Sequence, residues 1–363
     1  MILLLFFLIY CFCLTIFYRE NNNILSLVLL LPFLIFGSLR HYSVGNDSIE
    51  YARVYQIIAG NGVDIFKDRY EIGFLKLNEL LNVISHSYTL LFTITIIVTL
   101  YSLYILLKNY ALMPGFSIAM YFLLRYYDMS LNVVRLSMAI AITMLATYQL
   151  LKNRYVLFTF LVILASTFHR TALVYLIAIF IWKFNIRINR KSLVVLSSGT
   201  LILFIVFDTI LKIVLNIFPI YSYYLTSAYF DGNVKIATLF NIAIFSIFTL
   251  LAYKISVSNK IKIDKELDIE EFNKIEGFFL TMITLGIFIN ILSINFNLFN
   301  RVGDYFLLYL IIYLPNQMVK LKDKYASILV IYGFYIILIC YYLIIIIYRP
   351  EWNKVYPYLF FWQ

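Results

Sequence analysis

Long apolar stretches recur along the 363-residue chain, separated by short polar interruptions. A helix needs about 20 apolar residues to cross a hydrocarbon layer about 30 Å thick. The pattern therefore predicts membrane segments near residues 1–18, 24–40, 88–107, 112–128, 131–151, 155–168, 171–183, 192–214, 236–254, 276–293, 302–319 and 326–348. That is about twelve, within a range of 10–13 set mainly by the stretch "YVLFTFLVILASTFHRTALVYLIAIFIWK", which reads as one long helix or as two short ones broken at His169 and Arg170. Loop charge favours the break. With a hairpin there, Lys108, Lys152 and Arg154, the 183–191 cluster, the lysine-rich 254–274 segment and Lys320, Lys322 and Lys324 all fall on one side. Cytoplasmic loops carry the excess of Lys and Arg, so that side is expected to be cytoplasmic and both chain ends external. The fold class expected is all-α, a polytopic integral membrane protein.

The composition agrees. Apolar residues make up 63% of the chain and charged ones 13%, half the charge of an average soluble domain, and the mean hydropathy is +0.89. One integral membrane domain over 1–363 is expected, with a large external loop at 41–87 and a charged cytoplasmic loop at 255–275. Within the external loop, "DSIEYARVYQIIA" and "YEIGFLKLNELLNVI" are weakly amphipathic and predict interfacial or re-entrant helices. Asp47 and Glu50 have the spacing of an N-terminal capping pair. Cys11, Cys13 and Cys340 lie in apolar runs and imply no disulfide or metal site. The first run lacks a basic start and a small-residue cleavage site, which reads as a retained helix. No P-loop, Gly-x-Gly-x-x-Gly turn or Asp-x-Asp string occurs, so no cofactor, metal or nucleic acid is expected.

The net charge of +10 is sorted unevenly between the two cations. Twelve of the 17 lysines fall inside on this topology, whereas eight of the 12 arginines fall outside: Arg40, Arg53, Arg69, Arg125, Arg135, Arg170, Arg301 and Arg349. Lysines thus follow the insertion rule and the external arginines oppose it. Anchoring to lipid headgroups accounts for some of them. Others fit planar, two-point contact with phosphate or carboxylate. Arg135 sits in the apolar run "LNVVRLSMAIAITML", where an arginine at helix-centre depth costs roughly 2.5–3.5 kcal/mol on insertion scales. Asp304 follows Arg301 by three residues, on the same helical face, and is expected to orient it. The tyrosine-rich stretch "FPIYSYYLTSAYFDGN" reads as an interfacial aromatic belt, with stacking against sugar rings as the sharper alternative.

Together these stretches resemble the EpsG-like, Wzy-type family of bacterial polysaccharide polymerases. Arg40 followed by Val44-Gly45-Asn46-Asp47 and Tyr51 is similar to that family's opening motif; "NVVRLSMAIAI", "FHRTALVYL", "NRVGDYF" and "VYPYLFFW" follow in the family's order. Leu136 and Asn46 depart from its frequent glutamine and threonine. The resemblance implies a GT-C-like architecture in the bacterial inner membrane. It also implies a glycosyltransferase that joins undecaprenyl-diphosphate-linked oligosaccharide repeat units at the outer face, for O-antigen, capsule or exopolysaccharide, beside a flippase and a chain-length regulator. His169 and Asp47 are the implied catalytic residues, Arg40, Tyr51, Arg125, Arg135, Arg170 and Arg301 the implied diphosphate or substrate contacts, and Asp304, Asn132 and Tyr305 their supports. His169 competes with a helix-end role and Asp47 with the capping role given above.

Two other classes share these features: a flippase for the lipid-linked unit, and a membrane O-acyltransferase, whose essential histidine and arginine would lie nearer the cytoplasmic face. The expected topology separates the second from the polymerase. Cysteines placed at Ser43, Thr226 and Asn353 are expected to react with an impermeant thiol reagent in intact cells, and ones at Asn109, Ser258 and Asp323 only after permeabilisation; the reverse pattern would invert the arrangement.

Overall fold

The computed structural model describes residues 2–17, 27–207, 209–210, 212–213, 236–258, 269–296, 299–321 and 324–363. The tyrosine-rich stretch at 218–233, residues 259–268 of the charged loop at 255–275, Thr226 and Asp323 lie outside the described residues. Helices follow one another in the order α1 (Ile2–Phe17), α2 (Leu31–Ser38), α3 (Ser48–Asn61), α4 (Ile72–Ile84), α5 (Tyr88–Tyr110), α6 (Pro114–Leu123), α7 (Tyr126–Asn132), α8 (Val134–Leu151), α9 (Tyr155–Ser166), α10 (Ile177–Lys183), α11 (Arg190–Ile205), α12 (Ile236–Ser258), α13 (Ile269–Leu292), α14 (Phe299–Leu307), α15 (Leu310–Val319) and α16 (Lys324–Tyr348). Short 3-10 turns lie at Asp64–Phe66 and Arg170–Leu176. No strand occurs among the described residues, and an isolated antiparallel bridge joins Arg40 to Phe360. The fold is all-helical, as the hydropathy pattern predicts.

Among the described residues, five stretches are long and apolar enough to cross a membrane: α5, α8, α12, residues Glu270–Leu292 of α13 and Ser327–Tyr348 of α16. The chain is a membrane protein with several spans. The other expected spans coincide with shorter helices. Residues 112–128 do not form one helix: α6 stops at Leu123, Arg125 takes a left-handed conformation (φ 67°), and α7 restarts at Tyr126. The ambiguous stretch 155–183 is broken where the two-helix reading breaks it. Helix α9 rises only about 18 Å at 1.5 Å per residue, and the Arg170–Leu176 turn packs back against it. Tyr175 faces Phe158 across this fold-back and shares a hydrogen bond with Thr147 of α8 (2.5 Å).

The chain folds into two compact units, residues 1–176 with 315–363 and residues 177–314. In the first, α8 packs against α5 and α9, α1 against α6, and α2 against α5. The loop helices α3 and α4 occupy the two stretches whose amphipathicity predicts them and pack on each other. In the second, α13 packs against α10, α11, α12 and α14, with Trp182 edge-on to Phe278 and Phe279 stacked on Tyr309.

The residues after α16 return to the start of the 41–87 loop. His41 N–H donates to Leu359 O (2.9 Å), Phe361 N–H to Leu39 O (2.9 Å), Gly45 N–H to Lys354 O (3.0 Å) and the Tyr358 hydroxyl to Phe36 O (2.5 Å). The same loop also docks on the end of α7: Asp47 N–H donates to Asn132 Oδ1 (2.8 Å), Ser48 Oγ to Leu131 O (2.6 Å), and Asn132 Nδ2 to Asn353 Oδ1 (2.9 Å). Gly45 makes this approach possible. Its φ is +100°, and a Cβ there would sit 2.7 Å from Leu131 O. A left-handed conformation alone costs an L-residue about 1–2 kcal/mol, and backbone cannot move aside as a side chain can. Gly45→Ala is therefore expected to lower the thermal unfolding midpoint of the detergent-purified protein by several degrees, whereas Gly60→Ala, with open space around its Cβ, should not.

Candidate functional site

Arg135 is the second residue of α8, so it stands in the first turn of the helix. So near the helix end, its insertion costs less than at helix-centre depth. Its guanidinium is held on several sides. Nη1 donates to Glu71 Oε2 in a short ion pair, Nε lies 3.5 Å from the Tyr51 hydroxyl, and the charge sits 4.7 Å from the Tyr70 ring centre and 5.8 Å from that of Tyr51. The two charged side chains are only 20% and 14% exposed. Cation and carboxylate so far out of water need each other, because a partner left alone keeps its full desolvation penalty. Burial also pushes the Tyr70 phenol up to about 12.

Glu71 immediately precedes α4, in extended backbone (φ −69°, ψ 148°). Its other oxygen, Oε1, accepts the Arg170 backbone N–H at 3.4 Å. One carboxylate thus joins the loop helix, the head of α8 and the tip of the α9 fold-back. The tip is fixed by backbone as well. Gly73 N–H donates to Thr167 O (2.8 Å), and a Cβ on Gly73 would fall on the Thr167 side chain and within 2.8 Å of its carbonyl. Where these pieces meet there is a cavity of about 300 Å³ lined by Lys67, Tyr70, Glu71, Ile72, Leu75, Ser166, Thr167 and Arg170. Such a volume lies at the small end of ligand sites. Two cations, one carboxylate, hydroxyls, a phenol and an apolar wall make it a surface for a polar ligand. Lys67 is exposed and pairs with Asp64 at 2.6 Å, which raises the lysine's pKa and lowers the aspartate's.

Tyr51, Arg135 and Arg170 are thus brought together, through Glu71, a residue the sequence reading quotes and assigns no role. His169 lies beside Arg170, half-buried, with Nδ1 2.6 Å from Thr171 Oγ1. Asp47 occupies the N-cap position of α3 but makes no capping hydrogen bond through its side chain, and Glu50 turns instead to Arg69 (3.0 Å) and Arg53 (3.8 Å). The capping pair expected from their spacing does not form, because the loop docks on Asn132 through the Asp47 backbone.

Two of the arginines expected at phosphate are buried in protein. Arg40 is fully buried: Nη1 donates to Gly37 O, the guanidinium stacks 3.8 Å from the Phe92 ring centre, and Nε and Nη2 have no hydrogen-bond partner. It lies under the bridge to Phe360 and not at an exposed helix exit. Arg125 is 7% exposed, with Nε 3.3 Å from Asp128 Oδ2, Nη2 2.5 Å from Trp352 O and the Trp352 ring centre 5.1 Å away. Asp128 in turn accepts the Tyr342 hydroxyl at 3.2 Å. Arg301, Asp304 and Tyr305 share α14 in the other unit, where Tyr305 is buried and the Arg301 charge acts on Asp304. Among the described residues no cluster of His, Cys, Asp and Glu has the makings of a metal site.

Against this geometry, the model of the EpsG family matches residues 23–360. The chain belongs to the EpsG family. No curated protein and no solved structure matches it. The segments that resemble EpsG-like motifs now have places: the Val44-to-Asp47 loop and the closing "VYPYLFFW" meet at the strap over Arg40, "NVVRLSMAIAI" forms the head of α8, and "FHRTALVYL" forms the fold-back tip at the cavity.

The two buried arginines differ in one respect that can be measured. Replacing a buried, poorly paired cation by an apolar side chain of similar volume is often neutral or stabilising, whereas removing one member of a buried pair costs about 3–5 kcal/mol. Arg40→Met should therefore keep or raise the thermal midpoint in detergent, and Arg125→Met, which strands Asp128, should lower it sharply.

Proposed function

We propose that this EpsG-family protein is a polysaccharide polymerase that joins undecaprenyl-diphosphate-linked oligosaccharide repeat units at the outer face of a bacterial inner membrane. The observation that carries the reading is the cavity in which Lys67, Arg170 and Glu71 meet, with Arg135 fixed behind Glu71. Transfer of a growing glycan from its lipid carrier breaks a bond between the anomeric carbon and phosphate oxygen. Charge then accumulates on the departing diphosphate, and fixed cations stabilise it as it develops. The attacking sugar hydroxyl needs neighbours that accept its proton and orient its ring. A wall carrying both signs of charge meets both needs; a purely basic wall would meet the first alone.

In this reading Arg170 and Lys67 contact the diphosphate, Arg135 and Tyr51 hold the site together, and His169 stands beside Arg170 at the tip, outside the cavity lining. Asp47 and Asn132 set the loop above it, while Arg40 and Arg125 hold the fold. Arg301, with Asp304 and Tyr305 on the same helix, belongs to the other unit and is given no part in this cavity. The same reading takes the spans to be GT-C-like, the 41–87 loop to be periplasmic, and a flippase and a chain-length regulator to act beside the enzyme.

Deleting the gene is expected to leave cells with a single repeat unit on their surface glycan in place of a ladder. Re-expressed Arg135→Lys should restore little of it, because a lysine cannot make the planar contact with Glu71 while lying against two rings. Arg349→Lys, at an exposed pair with Glu351 (2.6 Å), should restore it fully. Loss of even the single external unit would mark a flippase, and an unchanged ladder would exclude the polymerase.

A further inference from the structure

Asp47, His169 and Glu71 are the candidate bases, and their surroundings differ. Asp47 does not line the cavity, and His169 shares its Nδ1 with Thr171 and does not line it either. Glu71 is the one carboxylate among the lining residues. An ionised carboxylate offers about four acceptor positions. Arg135 and the Arg170 backbone N–H use two of them, which leaves Glu71 able to accept from a ligand while its orientation is set from behind. The cavity's charge also bears on what enters. A bare phosphate lodged there would meet Glu71 as well as the cations, whereas a sugar hydroxyl can donate to the carboxylate as a neighbouring phosphate rests against Lys67 and Arg170.

Resting on the polymerase reading, we infer that Glu71 is the base that receives the proton of the acceptor hydroxyl, with Arg135 as its positioning residue. The acceptor oxygen forms a bond to the anomeric carbon of the donor sugar. The bond from that carbon to the diphosphate oxygen breaks, and its electron pair leaves with the lipid diphosphate. The hydroxyl proton passes to a Glu71 oxygen and later returns to water. A carboxylate is a weak base, and a weak base suffices here. In a transition state with oxocarbenium character the hydroxyl becomes acidic only as its oxygen bonds to carbon, so proton transfer comes late. Arg135 holds the carboxylate aimed until then.

The test uses membranes of the deletion strain carrying full-length wild type or variants at matched levels, with polymer read as a ladder from the cells' own lipid-linked units. Glu71→Gln keeps the side chain's size but offers one acceptor oxygen to the two donors, Arg135 Nη1 and the Arg170 N–H, and removes the proton acceptor, so polymer should fall by about a hundredfold or more. Glu71→Asp should retain a measurable part, and His169→Ala should stay within about tenfold of wild type. The pH profile of wild-type membranes supplies a readout that a structural role would not move. An imidazole base with its usual pKa of about 6.5 would be about one-tenth active at pH 5.5, whereas a carboxylate base should keep most of its rate there. Full ladders from Glu71→Gln, or a rate that falls through pH 6.5 together with loss of polymer in His169→Ala, would overturn the assignment and leave the polymerase standing. An intact ladder in the deletion strain would overturn both.

Discussion

The ion pair between Arg135 and Glu71 ties three parts of the chain that are distant in sequence. Arg135 heads α8, Glu71 precedes α4 in the 41–87 loop, and Arg170, whose backbone bonds the same carboxylate, belongs to the fold-back after α9. Neither charge can be this far from water without the other, and neither ring beside Arg135 can leave without exposing it. The consequence reaches the cavity, because Lys67, Tyr70 and Glu71 come from one side of this junction and Ser166, Thr167 and Arg170 from the other. Stability and site geometry thus depend on the same contact.

A second junction holds the loop from its other end. The chain's closing segment runs back over residues 39–46, and Asn132 is shared between Asp47 and Asn353. Beneath it the two buried arginines use their charge differently. Arg125 has a carboxylate, a carbonyl and an indole ring around it, so its charge is compensated. Arg40 has one carbonyl and the Phe92 ring, with two nitrogens unsatisfied. A guanidinium is more weakly hydrated than an ammonium and stacks on aromatic faces, which is why arginine and not lysine can occupy such a place.

The helical class, the two loop helices and the break in 155–183 were legible in the sequence because each follows from local pattern: apolar length, amphipathic period and a polar pair interrupting an apolar run. The break at Arg125 was not, since nothing local marks a left-handed arginine whose side chain turns inward to Asp128 and Trp352. The site was half legible. An arginine in an apolar run marks itself by its cost, and Arg135 and Arg170 do stand at the junction. Glu71 gave no such signal: it lies in a loop rich in ordinary charge, and its partner is 64 residues away. Arg40 misleads for a related reason, because an arginine at the end of an apolar helix reads as an exit into water, and the segment that covers it comes 320 residues later.

The central claim is that the pair serves chemistry as well as cohesion, and a charge swap separates the two. Glu71→Arg combined with Arg135→Glu keeps an ion pair at the junction and takes the carboxylate out of the cavity wall. Thermal unfolding in detergent and ladder formation in cells would be measured for both single variants and the double. The account predicts that the double variant regains a large part of the stability lost in the singles and still makes no polymer. A double variant that regained the ladder along with its stability would show that the carboxylate only holds the junction together.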